Sequence, residues 1–226
     1  MADFREPYLD VIFEPEGVEW NTKPLTGKLA AREIELESNS LLVMSVLEYA
    51  QEDPKERLRH LGTDALAAGL GRLFDPVHCL DSRCLADKRI PLERRTRLVP
   101  LIGDIILSAW ENHASHSLGH TETGYNSVSD DTAYADYLVY MFWDVAWLPH
   151  GCERPIIDAC IDVMGRCAKS SNPAVVEGAL HGLGHMQSYE KGSKRVLHIE
   201  GRRRFSGDIG EKLDAYAEAA KTGMIQ

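Results

Sequence analysis

Apolar positions recur along most of the chain at a helical period, and short polar joints carrying glycine or proline interrupt them. The run from about Leu29 to Glu52 puts Leu42, Val46, Leu47 and Ala50 on one stripe and stops at "EDP". Pro54 suits the first turn of a following helix, where its missing amide hydrogen costs nothing, and "KERLRHLGTDALAAGLGRLF" continues the pattern with Leu58, Leu61, Ala65 and Ala68. Residues 27–74 therefore predict a helical hairpin, and 75–91, with two prolines and two cysteines, an irregular connection. A helix resumes near Leu92 with Pro100 as a kink or a start. "TAYADYLVYMFWDVAWL", "RPIIDACIDVMGRCAKS" and "NPAVVEGALHGLGHMQ" predict three more, followed by a helix around Ser193 to Arg203 and another from Asp208 to Thr222. Leu9, Val11 and Phe13 alternate, so residues 1–26 predict an irregular extended arm or short strand.

Two hairpins share a grammar: "LLVMSVLEYAQEDPKERLRHLGTDALAAGLGRL" and "IIDACIDVMGRCAKSSNPAVVEGALHGLGHM". Each has an apolar helix, a short joint, then a proline-led helix with closely spaced Ala, Leu and Gly. Neither buries its apolar face alone, which points to stacked pairs. Over Ile156 to Met186 the chain resembles HEAT-like repeat proteins, and "ALHGLGH" with "LDAYAEAAKTGMI" is similar to a group of uncharacterised bacterial helical proteins. The resemblance implies a fold and no activity. The expected architecture is one all-α domain over 1–226, an α-α superhelix of about seven or eight helices, with 92–226 holding the helices after the connection.

Composition changes the picture in three ways. The net charge of -10 repels phosphate backbones and favours a basic protein partner. No run of eighteen apolar residues and no positive, apolar leader stands in the sequence, so no membrane span and a cytoplasmic location are expected. Five cysteines without an export signal read as free thiols, and Cys79 with Cys84 has no second cluster at zinc spacing.

His181 and His185 stand four residues apart on one helical face, the spacing at which two imidazoles reach one metal ion. Where a zinc peptidase helix carries its glutamate this chain has Gly182, and Gly182 with Gly184 weakens the helix as a platform. The core stripe holds Val176, Ala179, Leu180 and Leu183, which places the histidines on the opposite side. His113, His116 and His120 form a second cluster, with Glu111, Asp130 and Asp131 as nearby carboxylates, but no rule of sequence brings the two together. No nucleophile elbow or phosphate loop is present. Between Lys191 and Arg204 lie six Lys and Arg plus His198 without interleaved aromatics, a solvated basic end rather than a nucleic-acid site.

The expected function is therefore a non-enzymatic protein-binding module without metal or cofactor, one version being an immunity-type inhibitor of a basic toxin or nuclease. Its surface would comprise His181, His185, Tyr189, Trp143, Asp144, Trp147, Glu111, Asp130 and Asp131, with Asp144 at a rim. The alternatives are a metal-dependent enzyme built on His113, His116, His120, His181 and His185, and a HEAT-like nucleic-acid binder. On this reading "HGLGH" is helix-packing grammar.

Overall fold

The computed structural model of the chain describes residues 3–14, 25–58, 60–74, 84–111, 118, 139–144, 148, 152–189 and 201–225. Among them the secondary structure is helical throughout, as the periodicity predicts, but it is divided more finely. Ten α-helices have both ends described: α1 (Glu6–Ile12), α2 (Gly27–Ser38), α3 (Ser40–Glu52), α4 (Pro54–Leu58), α5 (Thr63–Phe74), α6 (Leu92–Trp110), α7 (Arg154–Cys167), α8 (Pro173–His185), α9 (Gly201–Arg204) and α10 (Gly207–Thr222). Residues 139–144 add a helical segment, and no described helix is long and apolar enough to cross a membrane.

The N-terminal arm is a correction. Residues 6–12 form a helix, because Leu9, Ile12 and Phe13 supply the i, i+3, i+4 spacing that the Leu9, Val11, Phe13 alternation disguises. All four apolar side chains are buried, and Phe13 lies so close to α5 that a Cβ on Gly69 would meet its ring at 2.1 Å. The buried guanidinium of Arg72 donates to the carbonyl of Val11, satisfying a carbonyl at the end of α1. A second correction is the break in the run from Leu29 to Glu52. Asn39 accepts the amide of Leu42 at 3.2 Å, a side-chain cap that starts α3 and separates it from α2.

Helix α6 runs through Pro100 and buries Leu98, Val99, Leu101, Ile102, Ile105 and Ile106. It packs on α3 and α5 on one side and on α7 on the other, so it joins the first helices to the last. Charged side chains pin these crossings. Arg94 makes two 2.7 Å hydrogen bonds to Glu48 of α3, and Arg95 reaches Glu153 at 2.8 and 2.9 Å while donating to the carbonyls of Leu85 and Ile90. Helix α7 packs on α8, and α8 packs on α10, which ends in a left-handed Gly223 (φ 70°) whose amide bonds back to the last turn.

Helix α8 is the centre of the C-terminal half. Every residue from Pro173 to Gly184 is buried, including the face that the sequence pattern assigns to the histidines. Its small residues admit neighbours on several sides: Val139 and Trp143 over Gly178 and Gly182, and Ile225 over Gly184. The glycines that look like weak points in an isolated helix are here the contact surface for other helices.

Candidate metal centre

The segment 139–144 crosses α8 at Gly178 and Gly182, one helical turn apart. A Cβ on Gly178 would stand 2.3 Å from the carbonyl oxygen of Val139, and one on Gly182 would stand 2.6 Å from the Trp143 ring. Neither position has room for a side chain. Trp143 is consequently 2% exposed and packs edge-on against Phe142, so it belongs to the core and not to a partner-binding surface. Asp144, one residue further, leaves the crossing beside the histidine pair.

Asp144 is exposed at the rim of this crossing, as expected, and its carboxylate is engaged by the histidine pair. Its Oδ1 is 2.6 Å from His185 Nε2 and its Oδ2 is 3.0 Å from His181 Nε2. The two Nε2 atoms are 3.2 Å apart, with the rings nearly perpendicular. His181 is 2% exposed, whereas the side chains of His185 and Asp144 are 31% and 30% exposed. The cluster therefore has a buried inner wall and an outer side that faces solvent.

Behind His181 stands a tyrosine pair. Tyr216 of α10 has its hydroxyl 2.7 Å from His181 Nδ1 and 2.9 Å from the hydroxyl of Tyr140, and the Tyr140 ring lies 4.3 Å from the His181 ring. Burial, then the hydrogen bond with Tyr140, holds the Tyr216 hydroxyl far above the ordinary phenol range, so it stays protonated and neutral. Glu177, one turn before His181 on α8, is 1% exposed and belongs to the same interior.

Chemically, a carboxylate and two imidazole nitrogens crowded this closely are satisfied either by protons on the nitrogens or by one cation between the three atoms. In a tetrahedral or octahedral shell with metal–ligand bonds of about 2.0–2.2 Å, neighbouring ligand atoms sit roughly 2.9–3.5 Å apart. The 3.2 Å between the Nε2 atoms and the 3.0 Å from Asp144 Oδ2 to His181 fall on that edge, while the 2.6 Å contact to His185 is made by the other carboxylate oxygen, Oδ1. Asp144, His181 and His185 each offer one ligand atom, all within 4.8 Å of one another.

The other predicted site residues go elsewhere. Glu111 binds the joint between α7 and α8, accepting from Ser171 N at 2.9 Å, Ser170 Oγ at 3.1 Å and Ser171 Oγ at 3.2 Å. Those bonds hold its carboxyl below the usual range, and they make it a clamp for the turn that starts α8. Tyr189 is half-buried under Arg154, whose guanidinium lies 5.1 Å from its ring centre. His113, His116, His120, Asp130, Asp131, Trp147, Cys79 and the basic residues 191–200 lie outside the described residues.

The sequence does carry signals for the rest of the cluster. Glu177, His181 and His185 follow one another at four-residue steps, and so do Tyr140 and Asp144. That these two lines face each other is set by the packing at Gly178 and Gly182, not by their spacing. Tyr216 has no such signal, because only the docking of α10 brings it to Nδ1.

Comparisons with protein-family models, with curated proteins and with solved structures find no match to this chain, so neither the likeness to HEAT-like repeats nor any activity is inherited from a relative.

Proposed function

We propose that the chain binds a divalent transition-metal ion through Asp144, His181 Nε2 and His185 Nε2 and acts there as a metal-dependent enzyme. The observation that carries this reading is the convergence of the three ligand atoms from two helices locked together at Gly178 and Gly182. Two imidazoles with one carboxylate suit zinc and also iron. Three protein ligands leave at least one position for water, and the solvent-facing side of Asp144 and His185 is where it would enter. A metal held by these three side chains would supply an activated water near neutral pH.

Elemental analysis of protein purified without chelator tests the reading. One equivalent of metal per chain is expected, with loss of the metal and of chelator-sensitive thermal stability in His185→Ala. Metal-free protein that neither takes up zinc, iron or manganese nor changes its melting temperature with chelator would contradict it.

A second reading keeps the acidic helical module, with stacked HEAT-like pairs, that docks a basic protein, an immunity-type inhibitor being one form. It is favoured by the net charge of -10 and by exposed Ile34 and Leu41 beside exposed Glu35 and Glu37. Under it, a stoichiometric basic partner is lost in the double variant Ile34→Glu, Leu41→Glu while metal uptake is untouched. Unchanged partner binding in that variant would count against this surface.

A further inference from the structure

The tyrosine pair behind His181 has a role that goes beyond filling space. A neutral imidazole carries one N–H, so its two nitrogens cannot both donate and cannot both offer lone pairs. His181 is buried, with Nδ1 facing the Tyr216 hydroxyl and Nε2 facing Asp144 and His185. A neutral His181 has two arrangements of protons, and an Nε2 lone pair 3.0 Å from the Asp144 carboxylate is satisfied only with a cation between them. In one, Tyr216 donates to Nδ1, and the ring proton sits on Nε2 and points at Asp144. In the other, Nδ1–H donates to the Tyr216 oxygen, Tyr216 donates to Tyr140, and the Nε2 lone pair faces the cluster. Only the second can ligate a metal.

Resting on the metal reading above, we propose that Tyr216 is a positioning residue for this centre. Its hydroxyl oxygen accepts the Nδ1–H of His181, holds the ring in the metal-competent tautomer, and so makes metal binding and docking of α10 a single coupled equilibrium. Metal-bound histidines characteristically donate their other N–H to such a partner, which fixes both ring orientation and tautomer. Tyr216 is also a link from α10 to the interior of the cluster, so the metal reaches the C-terminal helix through one hydrogen bond. The coupling is reciprocal: whatever weakens α10 docking weakens the metal, and metal loss loosens α10.

The test compares wild type with Tyr216→Phe, which keeps the ring and removes the acceptor. Zinc affinity is measured by competition with a chromophoric chelator, cobalt(II) absorption reports the ligand field, and amide hydrogen exchange follows Gly207–Thr222. Expected are a loss of roughly tenfold to a hundredfold in zinc affinity, an altered cobalt spectrum, and metal-induced protection of α10 in wild type that is missing in the variant. If the variant fails to fold, ¹⁵N spectra of the zinc-loaded wild type decide, with His181 expected to be protonated at Nδ1. Wild-type affinity in Tyr216→Phe, or an Nδ1 without a proton, overturns the proposal while leaving the metal site standing. A wild-type protein that binds no zinc or cobalt removes the metal reading and this inference with it.

Discussion

Gly178 lies directly beneath the carbonyl oxygen of Val139, at a separation that leaves 2.3 Å for any Cβ placed there. The helix with the histidine pair and the segment with Asp144 therefore meet backbone to backbone. Everything at the cluster follows from that approach, because a helix held further off would leave Asp144 out of reach of both imidazoles.

Gly178→Ala should destabilise the fold. Alanine gains up to about 1 kcal/mol in helix propensity, but forcing a methyl into a packed contact costs about 1–3 kcal/mol. A backbone oxygen cannot rotate out of the way as a side chain can, so the loss exceeds the gain. Urea denaturation checks the sign, and a variant as stable as wild type would show that the helices can part without penalty.

Asp144→Asn keeps the size of the side chain and removes its charge. With wild type, metal at a hundredfold excess over Kd should raise the unfolding free energy by about 2.7 kcal/mol. The variant should show little of that gain, with its metal-free stability close to wild type because Asp144 is partly exposed. Equal gains in both proteins would place the ion elsewhere.

The helices of the C-terminal half were legible because Pro155 and Pro173 mark their starts and their apolar positions keep a 3.6 period. Helix α1 was not, since four apolar residues within five fit both periods and the arbiter is Phe13 packing on Gly69. The histidine pair was visible at once. Its partners were not, because which segment covers Gly178 and Gly182 is a tertiary fact, and Gly182, helix-weakening by propensity, helps define the site.

The Arg95–Glu153 pair sets an acid limit on stability. The Arg95 hydrogen bonds hold the Glu153 carboxyl at about 2, below its ordinary 4.5, so folding is favoured by the ionised form. The sign follows: the contribution is full above 4.5 and is lost as pH falls through about 2. Glu153→Gln should be less stable than wild type at neutral pH, with the difference shrinking across that window. A difference independent of pH would show that packing, not charge, is at stake.

Cys167 is fully buried, and burial pushes its thiol up to about 12. In the folded protein at neutral pH it should resist iodoacetamide, whereas the partly exposed Cys152 should be labelled faster. Mass spectrometry of tryptic peptides reads both. Native labelling of Cys167 at the rate of Cys152 would mean that α7 opens readily.

Anomalous diffraction at the zinc edge, from crystals of the full chain grown with equimolar zinc, tests the metal centre most directly. A single strong peak is expected within about 2.0–2.2 Å of His181 Nε2, His185 Nε2 and an Asp144 oxygen. Zinc absent from that point, with the three side chains still hydrogen-bonded to one another, would contradict the account.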